Sequence, residues 1–163
     1  MEPTGRLTRA LEAVYGDDPE LLAAQVERYH ADLILFAELY GPGSVRVFRA
    51  PGRVNLIGEH TDYNQGYVLP AALDKDVLLF CRQRGDDLVR LRNVETAYGD
   101  REFRLASEIP PQAVGDWANY AQGSAQLLAQ ETGVALRGMD ALVDGGSPHG
   151  IPRGSGLSSS SAL

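Results

Sequence analysis

The sequence predicts an α+β fold, because two helical segments come first and a run of short strands with one inserted helix follows. The chain has 163 residues, of which 44% are hydrophobic and 23% charged, as is usual for a globular protein. We find no internal repeat, and no linker that would separate a second domain. The order of the elements argues against regular βαβ winding.

The helical segments lie at the N-terminus. Apolar residues recur every three or four positions from Pro19 to Tyr40, which predicts one long amphipathic helix. Asp18 is placed to cap its start, Pro19 suits its first turn, and Gly41 ends it. A shorter helix is predicted around residues 7–15.

The strand-like part of the pattern begins at Ser44. Alternation there stops at Pro51-Gly52, where we expect the first strand to break. Asp116 is positioned to cap a further helix over residues 117–132. More strands are predicted at residues 54–57, 67–69, 76–82, 88–91, 102–105 and 138–143.

Charge and cysteine content exclude several classes of protein. A net charge of −7 argues against a protein that holds nucleic acid through its overall field. No apolar run is long enough to cross a bilayer, and the N-terminus lacks the apolar core of a secretory signal. The single cysteine, Cys81, is typical of a reducing compartment. We therefore expect a soluble, cytoplasmic monomer without nucleic-acid or membrane partners.

The densest polar cluster follows the first strand. After Gly58 the chain can turn and present Glu59, His60 and Asp62 together. Two carboxylates and an imidazole exchange hydrogen bonds with several hydroxyls at once, which suits recognition of a polyol. Arg53 supplies a fixed positive charge for an alkoxide or a transferring phosphoryl group. A solvated turn and a metal site are alternative interpretations of the same residues.

A glycine- and serine-rich segment closes the chain. Glycines let the backbone approach an anion, and amides at the start of a helix point at phosphate oxygens. A serine hydroxyl can also ligate Mg²⁺. The segment lacks the Gly-Lys-Ser/Thr ending of a Walker loop, and a flexible tail is the alternative interpretation. The candidate residues are Gly154, Ser155, Gly156, Leu157, Ser158, Ser159, Ser160 and Ser161.

Aromatic residues mark the start of the helix at 117–132. Trp117 and Tyr120 are candidates to stack on a nucleobase, with a place in the core as the alternative. The final helix has scarcely one turn before Leu163, so we expect the chain to be an N-terminal fragment of a longer protein.

Four stretches together resemble the galactokinases of the GHMP small-molecule kinase family. Residues 49–66, RAPGRVNLIGEHTDYNQG, and 68–73, VLPAAL, resemble the galactokinase signature. Residues 117–120, WANY, and 152–162, PRGSGLSSSSA, resemble further motifs, of which the second is the phosphate-binding motif. The resemblance implies the N-terminal lobe of a two-lobed kinase, similar to domain 2 of ribosomal protein S5 and truncated before the C-terminal lobe.

The family's reaction is ATP-dependent phosphorylation of the C1 hydroxyl of galactose, and the resemblance implies this function here. It assigns sugar hydroxyls to Glu59, His60 and Asp62, and places Arg53 beside the reacting hydroxyl as the catalytic residue.

The resemblance also implies a site for ATP and Mg²⁺. Trp117 and Tyr120 would line the adenine pocket, the amides of residues 154–161 would hold the phosphates, and Ser160 would ligate Mg²⁺. Galactose and ATP are therefore the expected small-molecule partners.

The family's catalytic aspartate, its acidic Mg²⁺ ligand and its third glycine-rich motif would lie beyond Leu163. We therefore expect residues 1–163 to be an incomplete domain, with the signature at about 45–73 and the phosphate motif at about 150–163. Such a chain is expected to be inactive and poorly stable alone, whereas the resemblance implies galactokinase activity for the full-length protein.

Two other functions stay open beside galactokinase. One is a kinase of N-acetylgalactosamine, arabinose or a uronic acid. The other is a non-catalytic galactose and ATP sensor, but such sensors lack a Ser-Ala pair in the second motif, and residues 158–162 are undeleted here.

Overall fold

The chain forms two compact units, Met1–Gly43 and Ser44–Leu163. A computed structural model describes residues 3–58, 61–152, 157, 162 and 163, without the side chains of Pro3, Thr4 and Asp62. The predicted α+β class is confirmed, since the first unit is helical and the second is a sheet with one long helix.

The first unit is a pair of helices, α1 (Pro3–Tyr15) and α2 (Pro19–Tyr40). The predicted bounds of α2 are confirmed, whereas α1 begins earlier than predicted. The Asp18 carboxylate accepts hydrogen bonds from two first-turn amides at 2.9 and 3.3 Å, and Gly41 donates its N–H to Ala37 O at 2.8 Å. In the described part of the chain, no helix is both long enough and apolar enough to cross a membrane.

The elements of the second unit are β1 (Arg46–Ile57), β2 (Leu69–Gln83), β3 (Leu88–Asn93), β4 (Arg101–Arg104), α3 (Ala118–Thr132) and β5 (Met139–Asp144). Among the described residues the strands form a five-stranded sheet with the order β1-β2-β5-β3-β4. Strands β3 and β5 are parallel neighbours, and the chain passes through β4 and α3 between them, whereas the other neighbouring strands are antiparallel.

The predicted break at Pro51-Gly52 is wrong, because β1 continues through it. The register shifts there: Pro51 pairs with Asp76 and Arg53 with Ala72, so Gly52 faces three residues of β2. This bulge absorbs the irregular residues, and Pro51 is tolerated because β1 is an edge strand.

The strand predicted at 76–82 is part of a longer strand, β2, which begins at Leu69, so the separate strand predicted at 67–69 is wrong: residues 67 and 68 precede β2. Pro70 lies within it and pairs with Asn55. Strand β5 pairs with β2 from Leu78 onward and does not reach Pro70. The missing N–H of Pro70 therefore costs no hydrogen bond to β5.

The helix α3 covers one face of the sheet. Alternate strand residues on this face form the core with Trp117 and Ala118, and these residues are Val77, Val89, Leu91, Phe103, Ala141 and Val143. On the other face Asp140 is 4% exposed, and it accepts hydrogen bonds from Arg84 at 3.0 Å and Arg90 at 2.7 Å. These partners stabilise a carboxylate that would be costly to bury alone.

Candidate functional site

The segment that leads into the predicted phosphate motif lies along the bulge between β1 and β2. Lys75 Nζ donates to Pro148 O at 2.9 Å, and Asp76 N donates to His149 O at 3.2 Å. These contacts lie ahead of residue 154, so the flexible-tail alternative for residues 154–161 is not tested by them.

The signature strand and the phosphate motif meet at Arg53. Its backbone N–H donates to Leu157 O at 3.2 Å. A Cβ on the buried Gly52 would lie 3.4 Å from the same oxygen and 3.2 Å from Ile151 Cγ1, so a glycine suits this close approach. Leu157 is the one candidate of this motif among the described residues, and residues 154–156 and 158–161 lie outside them.

The sugar-binding candidates follow β1 in a turn at residues 58–67. Gly58 has a φ of +99°, in the left-handed region, so the chain turns where the sequence predicted. Asp62–Asn64 forms a short 3-10 helix. Glu59 and His60 lie outside the described residues, as does the side chain of Asp62, so their predicted contacts stay predictions.

Thr61, which the sequence analysis did not single out, closes this turn. Its hydroxyl donates to Gly58 O at 2.8 Å, with Tyr67 O at 3.1 Å as a second acceptor. Its carbonyl accepts from Gly66 N at 2.7 Å. The glycines at both ends of the turn were the local signal that could have identified this closure.

A pocket of about 190 Å³ lies at the start of α3. Both predicted aromatic residues line it: Trp117 is 8% exposed and Tyr120 is 52% exposed. Trp117 also belongs to the core, which confirms the alternative interpretation of this residue, whereas its stacking on a nucleobase stays a prediction. Its Nε1 donates to Gly99 O at 3.3 Å, and its ring meets Tyr98 edge to face at 6.0 Å between centroids.

Two polar residues of the same pocket, Asn93 and Glu95, were missed by the sequence analysis. They lie where β3 ends, and Asn93 Oδ1 accepts from Glu95 N at 2.8 Å. Val94 N donates to Val143 O at 3.0 Å, which fixes this turn against β5. No local pattern marks them, because their position depends on the parallel pairing of β3 with β5.

An ion pair fixes the entry to α3. Arg101 Nε and Nη2 each lie 2.8 Å from Asp116 Oδ2, which joins β4 to the first turn of the helix. Asp116 was predicted as the cap; Trp117 is the capping position, and the Asp116 carboxylate accepts from Ala118 N at 3.0 Å. The hydrogen bond from Arg101, followed by the one from Ala118, lowers the pKa of Asp116 below its ordinary value.

Within residues 3–58 and 61–152 and the short described pieces beyond, no three His, Cys, Asp or Glu side chains are grouped to hold a metal ion. This observation does not test a metal site at Glu59 and His60, which lie outside that part of the chain.

This chain is similar to galactokinases both in sequence and in structure. A family model described as the galactokinase galactose-binding signature matches residues 34–83. A crystal structure of Lactococcus lactis galactokinase complexed with galactose is 37% identical with a TM-score of 0.71, over 83% of this chain and 34% of that one. The chain thus spans about a third of the length of this relative.

More distant structures share the fold. Methanococcus jannaschii mevalonate kinase is 20% identical, with a TM-score of 0.57 over 74% of this chain and 37% of its own. A D-glycero-D-manno-heptose 1-phosphate kinase from Bacteroides thetaiotaomicron is 19% identical, with a TM-score of 0.54 over 72% of this chain and 38% of its own. These matches support the N-terminal lobe of a GHMP kinase as the fold.

Proposed function

Because the chain belongs to the galactokinase family of GHMP kinases, we propose that it forms the part of a sugar kinase that binds galactose and ATP. The whole protein transfers the γ-phosphoryl group of ATP to the C1 hydroxyl of galactose. The chain covers 34% of the length of the matched galactokinase, so the activity proposed is that of the whole protein and not of this chain alone.

The hydrogen bond from Arg53 N to Leu157 O carries this proposal. It joins two segments that are far apart in the sequence, one with sugar-binding candidates and one with phosphate-binding candidates. Phosphoryl transfer depends mainly on positioning and on charge stabilisation, so adjacent sites for acceptor and phosphate support a kinase.

On the sugar side, Glu59, His60 and Asp62 bind galactose hydroxyls in this proposal. Oriented polar groups reject analogues that leave them unpaired, which favours one sugar over its epimers. Arg53 is an exposed residue of β1. In this proposal its guanidinium reaches the reacting hydroxyl and stabilises the charge on the transferring group.

On the nucleotide side, the residues of the pocket at α3 fit an adenine base. Trp117, Tyr98 and Tyr120 offer aromatic surface, and Asn93 and Glu95 offer groups for the polar edge of a base.

In this proposal the amides of residues 154–161 would hold the phosphates, and Ser160 would ligate the Mg²⁺ that accompanies ATP. A serine hydroxyl is a hard oxygen donor of the kind that Mg²⁺ accepts, and the ion neutralises charge on the phosphates when bound.

Calorimetry with galactose and with ATP on the complete protein tests the two sites, and galactose 1-phosphate formation tests the reaction. We expect both ligands to bind and the complete protein to form product, whereas the chain alone forms none. Product from the isolated chain would contradict its inactivity. If the complete protein turns over N-acetylgalactosamine, arabinose or a uronic acid faster than galactose, that sugar is its substrate instead. Binding of both ligands without turnover would indicate a sensor.

A further inference from the structure

The turn at residues 58–67 is held by one residue near its middle. Thr61 donates its N–H to Gly58 O at 3.4 Å, and its carbonyl accepts from Asn64 N at 3.0 Å and Gly66 N at 2.7 Å. Its hydroxyl reaches Gly58 O and Tyr67 O, at 2.8 and 3.1 Å. Carbonyl groups at both ends of the turn, those of Gly58 and Tyr67, therefore lie within hydrogen-bond distance of the same hydroxyl.

We propose that Thr61 is a positioning residue that sets galactose affinity by closing this turn from the inside, an inference that rests on the proposed function. Its hydroxyl has one proton, and that proton is directed at backbone carbonyls of the turn. Thr61 therefore acts in this proposal through the backbone of the turn.

Glycine at residues 58 and 66 leaves room for the Thr61 side chain. A Cβ on Gly66 would lie 2.7 Å from Thr61 Cβ, and a Cβ on Gly58 would lie 3.0 Å from Thr61 Oγ1 and would collide with Tyr67 O. Such distances are far below van der Waals contact. The closed turn therefore requires glycine at both ends and a small hydroxyl-bearing side chain between them.

The residues that flank Thr61 explain why closure affects sugar binding. Glu59, His60 and Asp62 all lie within two positions of Thr61. Loss of closure frees the described ends of the turn, Gly58 and Tyr67, and groups that must be ordered on binding cost affinity. Small displacements of positioned groups also cost rate, by as much as about 100-fold per ångström.

The test compares Thr61→Val, which removes the hydroxyl at nearly constant shape, with Thr61→Ser, which keeps it. In the complete protein we expect Thr61→Val to raise the galactose Kd and KM about tenfold, equivalent to about 1.4 kcal/mol. The KM for ATP should stay within about twofold, and Thr61→Ser should stay within about twofold for both substrates. Thr132→Val is the matched control, since Thr132 Oγ1 donates to Leu128 O at 2.6 Å within α3.

Hydrogen exchange of the peptide that spans residues 58–67 provides a measurement that does not depend on galactose. Thr61→Val should speed exchange there, and Thr61→Ser and Thr132→Val should not. Wild-type galactose affinity in Thr61→Val, or unchanged exchange, overturns the proposal. Equal losses for galactose and ATP with a lowered unfolding midpoint overturn it too, because they indicate a general folding defect. If the wild-type protein neither binds nor phosphorylates galactose, the proposed function fails, and the exchange result alone decides on the closure.

Discussion

The turn at residues 58–67 and the pocket at α3 are built in opposite ways. Hydrogen bonds to the backbone hold the turn, whose Tyr63 and Tyr67 are 71% and 99% exposed. The pocket is formed by core side chains such as Trp117, which is 8% exposed. We therefore expect a substitution in the turn to leave the core intact, whereas a substitution of a buried pocket residue should destabilise the whole fold.

The largest effect is expected in the pocket wall, from Trp117→Ala. This substitution leaves a cavity in the core beside Tyr98 and should lower the free energy of unfolding by about 3–5 kcal/mol. Tyr120→Ala is the control, since its side chain is half exposed: stability should fall by less than about 1 kcal/mol, while ATP affinity falls. Urea unfolding measures the first effect and calorimetry the second. Equal stability losses in the two variants would contradict the distinction between the buried Trp117 and the half-exposed Tyr120.

In the turn, Asp62→Ala should act on binding and spare the fold. Loss of a charged hydrogen-bond partner should weaken galactose binding about 10- to 100-fold, with the ATP Kd within about twofold. Asp74→Ala, which removes an exposed carboxylate of β2, should leave both affinities unchanged. If Asp62→Ala weakens galactose and ATP equally, the change acts through folding.

The backbone of the turn is tested by Gly58→Ala against Gly115→Ala. Both glycines have positive φ, +99° and +86°, so alanine costs about 1–2 kcal/mol at either position. Only at Gly58 does the added Cβ meet the backbone, since Gly115 has open space around it. Gly58→Ala should therefore lose more stability, measured by urea unfolding, and should also raise the galactose KM. A normal galactose KM in Gly58→Ala would show that the turn tolerates the displacement.

The smallest expected effect concerns the ion pair that leads into the pocket. The pKa of Asp116 is lowered from 3.8 in the folded protein, so its stabilising contribution is fully present above about pH 4 and is lost as the pH falls through the folded value. Asp116→Asn should lower the Tm by a few degrees at pH 7, and the difference from wild type should shrink below pH 4. A difference independent of pH would contradict a contribution from the charge of Asp116.

Local patterns were sufficient to predict the helices and the position of the first motif. Helix α2 has its predicted bounds because capping and periodicity are set by neighbours in the sequence. The full lengths of β1 and of β2 were not predicted. For β1 the reason is that the cost of Pro51 in a strand depends on whether the strand lies at the edge of the sheet.

Residues brought together by tertiary pairing were the ones missed. Asn93 and Glu95 reach the pocket only through the pairing of β3 with β5, which no short-range signal contains. Thr61 was overlooked for a different reason. It acts through hydrogen bonds to the backbone of Gly58 and Gly66, and no sequence pattern distinguishes such a threonine from its neighbours.

If the complete protein binds galactose and ATP as proposed, the bond between Arg53 N and Leu157 O couples the two ligands. A nucleotide that immobilises residue 157 would reduce the conformational entropy that β1 still has to lose when a sugar binds. Thermodynamic linkage would make this influence mutual: the factor by which ATP raises galactose affinity would equal the factor by which galactose raises ATP affinity.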